Sequence, residues 1–249
     1  MSAPAYDRMG IDYAAVRQPD PRIEAALWDA LGDARSVLNV GAGTGSYEPP
    51  DREVVAVEPS AVMIAQRPAG AATAIQGVAE DLPLADKCVD ATMGVFTMQH
   101  WRDVDRGLAE VLRVTRDRVV FITLDVDAMA EMWLARDYLP EMAAQDRRDF
   151  PSIERLAERL PNLQVDPLPV PRDCSDGFFQ AYWRRPAAYL DEAVRDSISV
   201  FHVLPSDEIS AAIERLRADL GDGTWNARNA ELLGMTELDV GLRLVVRSF

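Results

Sequence analysis

The sequence predicts an α/β protein built on an open, mostly parallel sheet, and three observations carry that prediction. An apolar strand, Val37-Leu38-Asn39-Val40, runs directly into a turn with glycines at alternate positions, Gly41, Gly43 and Gly45. A second apolar run, Val54-Val55-Ala56-Val57, ends at Glu58. Further short apolar runs then alternate with segments of helical period, the pattern of β-α-β units. Strands are expected near 36–40, 54–57, 73–77, 89–95 and 118–124, with helices between them.

Taken in order, residues 1–20 hold Tyr6, Tyr13 and Arg17 ahead of Pro19 and Pro21, and Pro21 suits the start of a helix through Ile23, Ala26, Leu27 and Ala30 that stops at Gly32. Tyr13 and Arg17 stand four apart and share a helix face, where they either close a site or pack. The glycine turn comes next. Glycine tolerates positive φ and has no Cβ, so this turn lets backbone approach a ligand closely. Its spacing is G-x-G-x-G; the dinucleotide fingerprint G-x-G-x-x-G needs a glycine where Ser46 stands. A helix is expected to begin at Ser46-Tyr47-Glu48-Pro49-Pro50, and Glu48 at that place opposes a phosphate. The ligand predicted is a nucleoside without phosphate. Glu58, at the tip of the neighbouring strand, offers a carboxylate that accepts from both vicinal hydroxyls of a ribose.

After the fourth strand, Val104, Leu108, Val111 and Leu112 form a core stripe at helical spacing. Residues 126–160 read as helical, first through Met129, Met132, Trp133, Tyr138 and Leu139, then through a second helix begun by Pro151-Ser152. A strand is expected near 163–170, among prolines that suit a sheet edge, and a last strand near 240–246. Between them, 172–235 reads as a cap or lid. It carries Phe178, Phe179, Tyr182, Trp183 and Tyr189, then a helix with Ile209, Ile213, Leu216 and Leu220 that ends at Gly221.

Composition narrows the function. With 249 residues and 48% apolar residues the chain is long enough for one α/β domain with an elaboration. A formal charge of −15 disfavours the phosphate backbone of nucleic acids and favours a small molecule. No apolar run approaches the roughly 18 residues that span a bilayer, and Met1-Ser2-Ala3-Pro4 lacks a basic, then apolar, leader, so a cytoplasmic protein without membrane insertion is expected. Cys88 and Cys174 read as two separate thiols. Asp125 and Asp127 end the fifth strand; as a metal site they are short of oxygen ligands, and a helix cap or solvated loop suits them better, so no metal is expected. His100, just past the fourth strand, is the candidate general base, the alternative being a histidine that bonds a loop or packs beside Trp101.

Four blocks together resemble a known family: Val37 to Gly45, Val54 to Met63 (V-V-A-V-E-P-S-A-V-M), Gly77 to Leu84 (G-V-A-E-D-L-P-L) and Val89 to Trp101 (V-D-A-T-M-G-V-F-T-M-Q-H-W). In order and spacing, over about residues 35–125, they are similar to the class I S-adenosyl-L-methionine (SAM) methyltransferases, in the small-molecule branch of the ubiquinone and menaquinone enzymes (methyltransferase domain 11). The resemblance implies a Rossmann-like, seven-stranded, mostly parallel sheet with its last strand antiparallel, helices on both faces and a helical cap inserted before the last strand. It divides the chain into 1–34, a helical segment over the cofactor; 35–171, the SAM-binding core; 172–235, the cap; and 236–249, the final strand.

The same resemblance implies roles. Asn39, Gly41, Ala42, Gly43 and Gly45 would hold the methionine part of SAM, and Glu58 the ribose. Pro59 and Met63 would flank the adenine, Ala79 and Glu80 would close on its edge, and the Phe96 backbone would meet the cofactor's amino group. Asn39 stands where the family has Asp or Glu, and Val78 where it often has Asp. From the residues themselves, substrate-lining candidates are Tyr13, Arg17, Gln99, Trp101, Trp133, Phe178 and Tyr182, and the aromatic group of Trp133, Phe178 and Tyr182 equally suits burying the cap against the sheet. His202, in the cap, is a weaker catalytic candidate than His100. The function implied is methyl transfer from SAM to O, N or C of a small-molecule metabolite. The alternatives are a SAM-fold protein of cyclase or decarboxylase type, or a non-catalytic SAM-binding partner. Whether the chain is a monomer or a homodimer is left open by the residues.

Overall fold

The structure, a computed structural model, describes residues 17–249. The tyrosines at 6 and 13, and most of the expected cover over the cofactor before residue 17, lie outside the described residues. In chain order the core elements are α1 (Pro21–Ala30), β1 (Ser36–Val40), β2 (Glu53–Glu58), α2 (Ala61–Ala65), β3 (Ala74–Gln76), β4 (Val89–Val95), α3 (Val104–Val114) and β5 (Thr115–Leu124). They are followed by α4 (Val126–Ala130), α5 (Trp133–Asp137), α6 (Pro140–Asp149), α7 (Ile153–Arg159), β6 (Gln164–Pro167) and β7 (Val170–Pro171). The last part holds α8 (Glu192–Asp196), α9 (Ser206–Gly221), α10 (Thr224–Arg228), β8 (Glu237–Leu238) and β9 (Leu242–Ser248).

Among the described residues the central sheet has seven strands in the order β3-β2-β1-β4-β5-β9-β6. The first five run parallel, with Val40 opposite Val57 and Leu38 opposite Thr92, and β9 enters antiparallel between β5 and β6. The inner strands β1, β4 and β5 are apolar on both faces because each face is covered. Val37, Val120 and Ile122 point into one core with Ile23 and Leu27 of α1, while Leu38, Val119 and Phe121 point into the other with Leu108 and Val111 of α3. This is the two-residue alternation of a strand buried on both sides. The strand order reverses between β1 and β4, and the crevice beyond their C-terminal ends is where an open α/β sheet receives its ligand.

Three expectations need correction. No helix follows the glycine turn: residues 41–52 pass from β1 to β2 as turns, with positive φ at Gly41, Gly43, Gly45 and Tyr47. Four left-handed residues followed by Pro49-Pro50 leave too little chain for a helix. The long helical stretch expected at 126–160 is four short helices, α4 to α7, broken ahead of Pro140 and again ahead of Pro151. The edge strand expected over 163–170 divides into β6 and β7, and β7 leaves the main sheet to pair with β8, Val170 opposite Leu238.

The segment between β7 and β8 packs on the helices after β5 through Trp133. Its indole donates to the Trp183 carbonyl at 2.7 Å, and its ring meets Tyr189 and Trp225 edge-on at 5.7 and 5.2 Å. Trp183 in turn donates to the Val170 carbonyl at 2.9 Å. A hydrogen-bonded, T-shaped aromatic group of this kind fixes one element against another.

Candidate active site

A cavity of about 750 Å³ opens at the C-terminal ends of β1, β2 and β4. Its first wall is the glycine turn, and the turn's shape follows from its neighbours. Gly41 has φ +69°, and a Cβ there would stand 1.9 Å from Thr97 Oγ1. A side chain at 41 is therefore excluded by backbone strain and by contact together. Gly43 and Gly45 also have positive φ. Gly43 fronts the cavity; Gly45 does not, and instead lies against the Arg67 guanidinium, 3.3 Å from where its Cβ would be.

Glu58 ties this turn to the tip of β2. One carboxylate oxygen accepts from the Gly43 N–H and the other from the Ser60 N–H, both at 2.8 Å. Burial, at 7% exposure, raises the Glu58 pKa, and the two N–H donors and Arg67 oppose that rise. Each oxygen spends one lone pair on backbone and keeps one for the cavity, which matches two ribose hydroxyls. Asn39 donates its amide to Glu48 at 3.0 Å, so its carbonyl oxygen is the acceptor it offers. Glu48 is gripped by Arg67 at both oxygens, 2.7 Å each, and the two side chains are 9% and 6% exposed. The sequence reading, in which Glu48 acts by repulsion, is corrected by this partner: its charge is neutralised in place and serves to brace the turn.

The remaining cofactor candidates fall around the same cavity. Ala42, Pro59, Met63, Ala79, Glu80 and Phe96 line it. Glu80 spends Oε1 on the N–H groups of Arg102 and Asp103, at the entry to α3. Phe96 has φ +48°, gives its N–H to the Ile122 carbonyl at 3.0 Å and accepts from Gln99 at 2.7 Å. Its N–H is thus spent within the sheet, and its carbonyl keeps one lone pair. Val78 lines the cavity, and Asp81, bridged to it through the turn, brings a carboxylate to the same rim.

Of the substrate-lining candidates, Arg17, Gln99, Trp101 and Phe178 border the cavity. Trp133 and Tyr182 do not: Trp133 is the aromatic pivot described above, and Tyr182 packs against Tyr189 and under Arg185. Tyr13 lies outside the described residues. Arg17 is held by Asp176 through Nε at 2.6 Å, and Asp176 also accepts from the Tyr47 hydroxyl at 2.7 Å. Asp176 is 2% exposed, so this ion pair anchors the start of the cap segment to the glycine turn.

His100 also lines the cavity, on the single 3-10 turn of Met98–His100 after β4. Burial pushes its pKa down to about 4, which corrects the expectation of an imidazole poised near neutrality. It stands neutral at pH 7, with a lone pair but low basicity. His202 is exposed and bonds the Asp196 carbonyl, away from the cavity. Asp125 caps α4 through the Ala128 N–H and accepts from Arg243 at 2.9 Å, while Asp127 pairs with Arg147.

Sequence reasoning missed the far wall. Met142, Asp146 and Phe150, at four-residue steps along and just past α6, line the cavity with Leu124, Ile198 and Val200. The one signal was that spacing, a carboxylate between two apolar residues on one face of a helix that otherwise reads as polar. Burial and the neighbouring charge of Asp149 push the Asp146 pKa up to about 7.

Comparison with known proteins agrees with this geometry. The family described as methyltransferase domain matches residues 38–123. A methyltransferase of unassigned substrate from Mycobacterium tuberculosis is 39% identical over 99 residues, 37% of this chain, and the chain spans 40% of that relative's length. Demethylmenaquinone methyltransferase of Thermobifida fusca is 37% identical over 173 residues, covering 51% of this chain and 73% of its own. The chain belongs to the SAM-dependent methyltransferases. A solved methyltransferase candidate from an antibiotic biosynthesis pathway of Anabaena variabilis is 32% identical, with a TM-score of 0.85 over 94% of this chain and 99% of its own. The likeness to that methyltransferase therefore extends over nearly the whole of both chains.

The residues present fit SAM. A carboxylate with one lone pair per oxygen left for a diol, a side-chain-free turn beside it and the apolar Met63 supply its ribose, methionine and adenine needs in turn.

Proposed function

We propose that this chain transfers the methyl group of SAM to O, N or C of a small, partly apolar metabolite, in the cytoplasm, and that the segment 172–235 forms the acceptor side of the site. The observation that carries this reading is Glu58, joined to Gly43 at the C-terminal edge of the sheet inside a cavity whose opposite wall sets Asp146 and a few polar side chains among apolar ones. The bound sulfonium supplies an activated methyl and a good leaving group. The protein's share is then chiefly orientation, which supplies up to roughly 7–11 kcal/mol in well-aligned intramolecular models.

The roles proposed for the chain's own residues follow from their places. Glu58 holds a ribose diol, the Asn39 carbonyl oxygen and the Phe96 carbonyl accept from an ammonium, and Met63 and Ala79 enclose a base. Phe96, Leu124, Phe178 and Val200 exclude water around the acceptor. His100, neutral and weakly basic, orients the acceptor by accepting a hydrogen bond, a better use of a pKa near 4 than proton abstraction. No helix among the described residues is long and apolar enough to cross a membrane. The cavity, at about 750 Å³, has the dimensions of a small-molecule site and not of a nucleic-acid groove.

Deuterated-methyl SAM incubated with the protein and a bacterial metabolite extract tests the reading. Mass spectrometry is expected to find the label in a small organic molecule together with S-adenosylhomocysteine. Tight SAM binding with no homocysteine product from any extract would refute transfer and favour a cyclase-like or purely binding protein.

A further inference from the structure

The half of the cavity away from Glu58 has an uneven supply of hydrogen-bonding groups. Gln99 Oε1 is buried and has no hydrogen-bond partner among the described residues, while its amide is committed to the Phe96 carbonyl at 2.7 Å. That bond fixes the orientation of the side chain, because the reverse would set oxygen against oxygen. Asp146 borders the same space, and among the described residues no cation or donor is set against its carboxylate. The arginines that follow it turn elsewhere, Arg147 to Asp127 and Arg148 to Gln145. Arg17, the cation that lines this side, is engaged by the buried Asp176, and Arg102 and Arg106 stand exposed at the rim. His100, neutral, carries one N–H and one acceptor nitrogen, and Gln180 and Ser199 likewise serve either role.

Among the described residues the space thus holds two acceptors without a matching donor, Gln99 Oε1 and the Asp146 carboxylate, and its walls are Phe96, Leu124, Met142, Phe150, Phe178 and Val200. A buried acceptor left unmatched, as Gln99 Oε1 is, costs free energy, and a half-buried carboxylate without a partner adds to that cost. A ligand that lacked donors would leave both costs standing, and an anionic one would add repulsion. An ammonium removes both, since it can donate to Asp146 and Gln99 together. The net charge of −15 attracts such a cation to the cavity mouth.

Resting on the methyltransferase reading, we propose that the acceptor is an amphipathic amine, with an aromatic or aliphatic body among the phenylalanines and a protonated amino group held between Asp146 and Gln99 Oε1. Asp146 is then the residue that sets acceptor class. The burial-raised pKa of its carboxylate agrees, because a buried carboxyl without a cation resists ionisation and one beside a cation does not.

The test uses the full chain saturated with S-adenosylhomocysteine, whose binding is measured first by calorimetry. Failure at that step would sink the cofactor reading itself. On the loaded protein, phenethylamine, tryptamine, phenethyl alcohol and phenylpropanoate are then titrated. The expected result is that an amine binds at least ten-fold more tightly than the alcohol and the carboxylate does not bind. Asp146→Asn should remove that preference, with S-adenosylhomocysteine affinity unchanged as proof of an intact fold, and Asp146→Glu should restore part of it. An alcohol or carboxylate that binds as well as the amines, no binding by either amine, or an undiminished preference in Asp146→Asn would each overturn the inference while leaving the cofactor site standing.

Discussion

Thr97 decides what can stand at residue 41. With a Cβ placed 1.9 Å from Thr97 Oγ1 at φ +69°, Gly41→Ala must move the turn or the strand end. We expect a loss of about 2–4 kcal/mol by urea unfolding and loss of SAM binding, with partial recovery of stability in Gly41→Ala/Thr97→Ala. An additive double variant would show that the contact is not the cause. His100 and Asp146 make a second prediction, from two pKa values displaced in opposite directions. The imidazole sits at about 4 in the folded chain against an ordinary 6.5, so between those values the unfolded chain holds the extra proton and stability rises with pH. The Asp146 carboxyl sits at about 7 against 3.8, so over that window the folded chain holds the extra proton and stability falls as pH rises. The two slopes oppose each other in the parent protein. Chemical denaturation at pH 4.5, 5.5 and 6.5 should show a more negative slope than the parent in His100→Gln and a more positive one in Asp146→Asn. Equal slopes in all three would contradict the placement of these groups.

At the scale of elements, the connection from β1 to β2 does the work a helix often does, and it is held by one ion pair and one buried hydrogen bond to a second. Arg67 with Glu48 braces it from below, and Tyr47 with Asp176 and Arg17 fastens it to the cap. Tyr47→Phe leaves Asp176 one donor short in a buried place, which should cost about 1–3 kcal/mol in thermal or chemical unfolding. A neutral effect would mean that Arg17 alone satisfies that carboxylate. This connection was only half legible beforehand. The alternating glycines announce the turn, but Tyr47 at φ +65° and the pairing of Glu48 with a residue beyond β2 depend on contacts that no local pattern encodes. The strands were legible because covered strands read as apolar runs: β1 and β4 fall where Val37-Leu38 and Val89 to Val95 place them. The α6 face was not, since one carboxylate and two apolar residues do not separate a cavity wall from a solvated helix. Trp133 was misread for a similar reason, because an aromatic residue that joins two elements has the same composition signal as one that lines a pocket.

For the whole molecule, the proposed function gives the sheet the cofactor side and the segment between β7 and β8 the acceptor side, and Trp133 joins that segment to the helices after β5. Trp133→Ala removes a 2% exposed indole, its bond to the Trp183 carbonyl and three edge contacts, and we expect a loss of about 3–5 kcal/mol. Because Glu58 and the glycine turn belong to the sheet, S-adenosylhomocysteine should still protect the folded fraction of that variant against thermal unfolding. The central claim is that SAM sits on Glu58 and the turn after β1. Calorimetric titration of the parent protein and of Glu58→Ala with SAM tests it most directly. Micromolar binding to the parent and at least a ten-fold loss in the variant are expected, in keeping with roughly 1.5–3 kcal/mol for hydrogen bonds to a charged group. Equal affinity in the two proteins, or no binding to the parent, would contradict it.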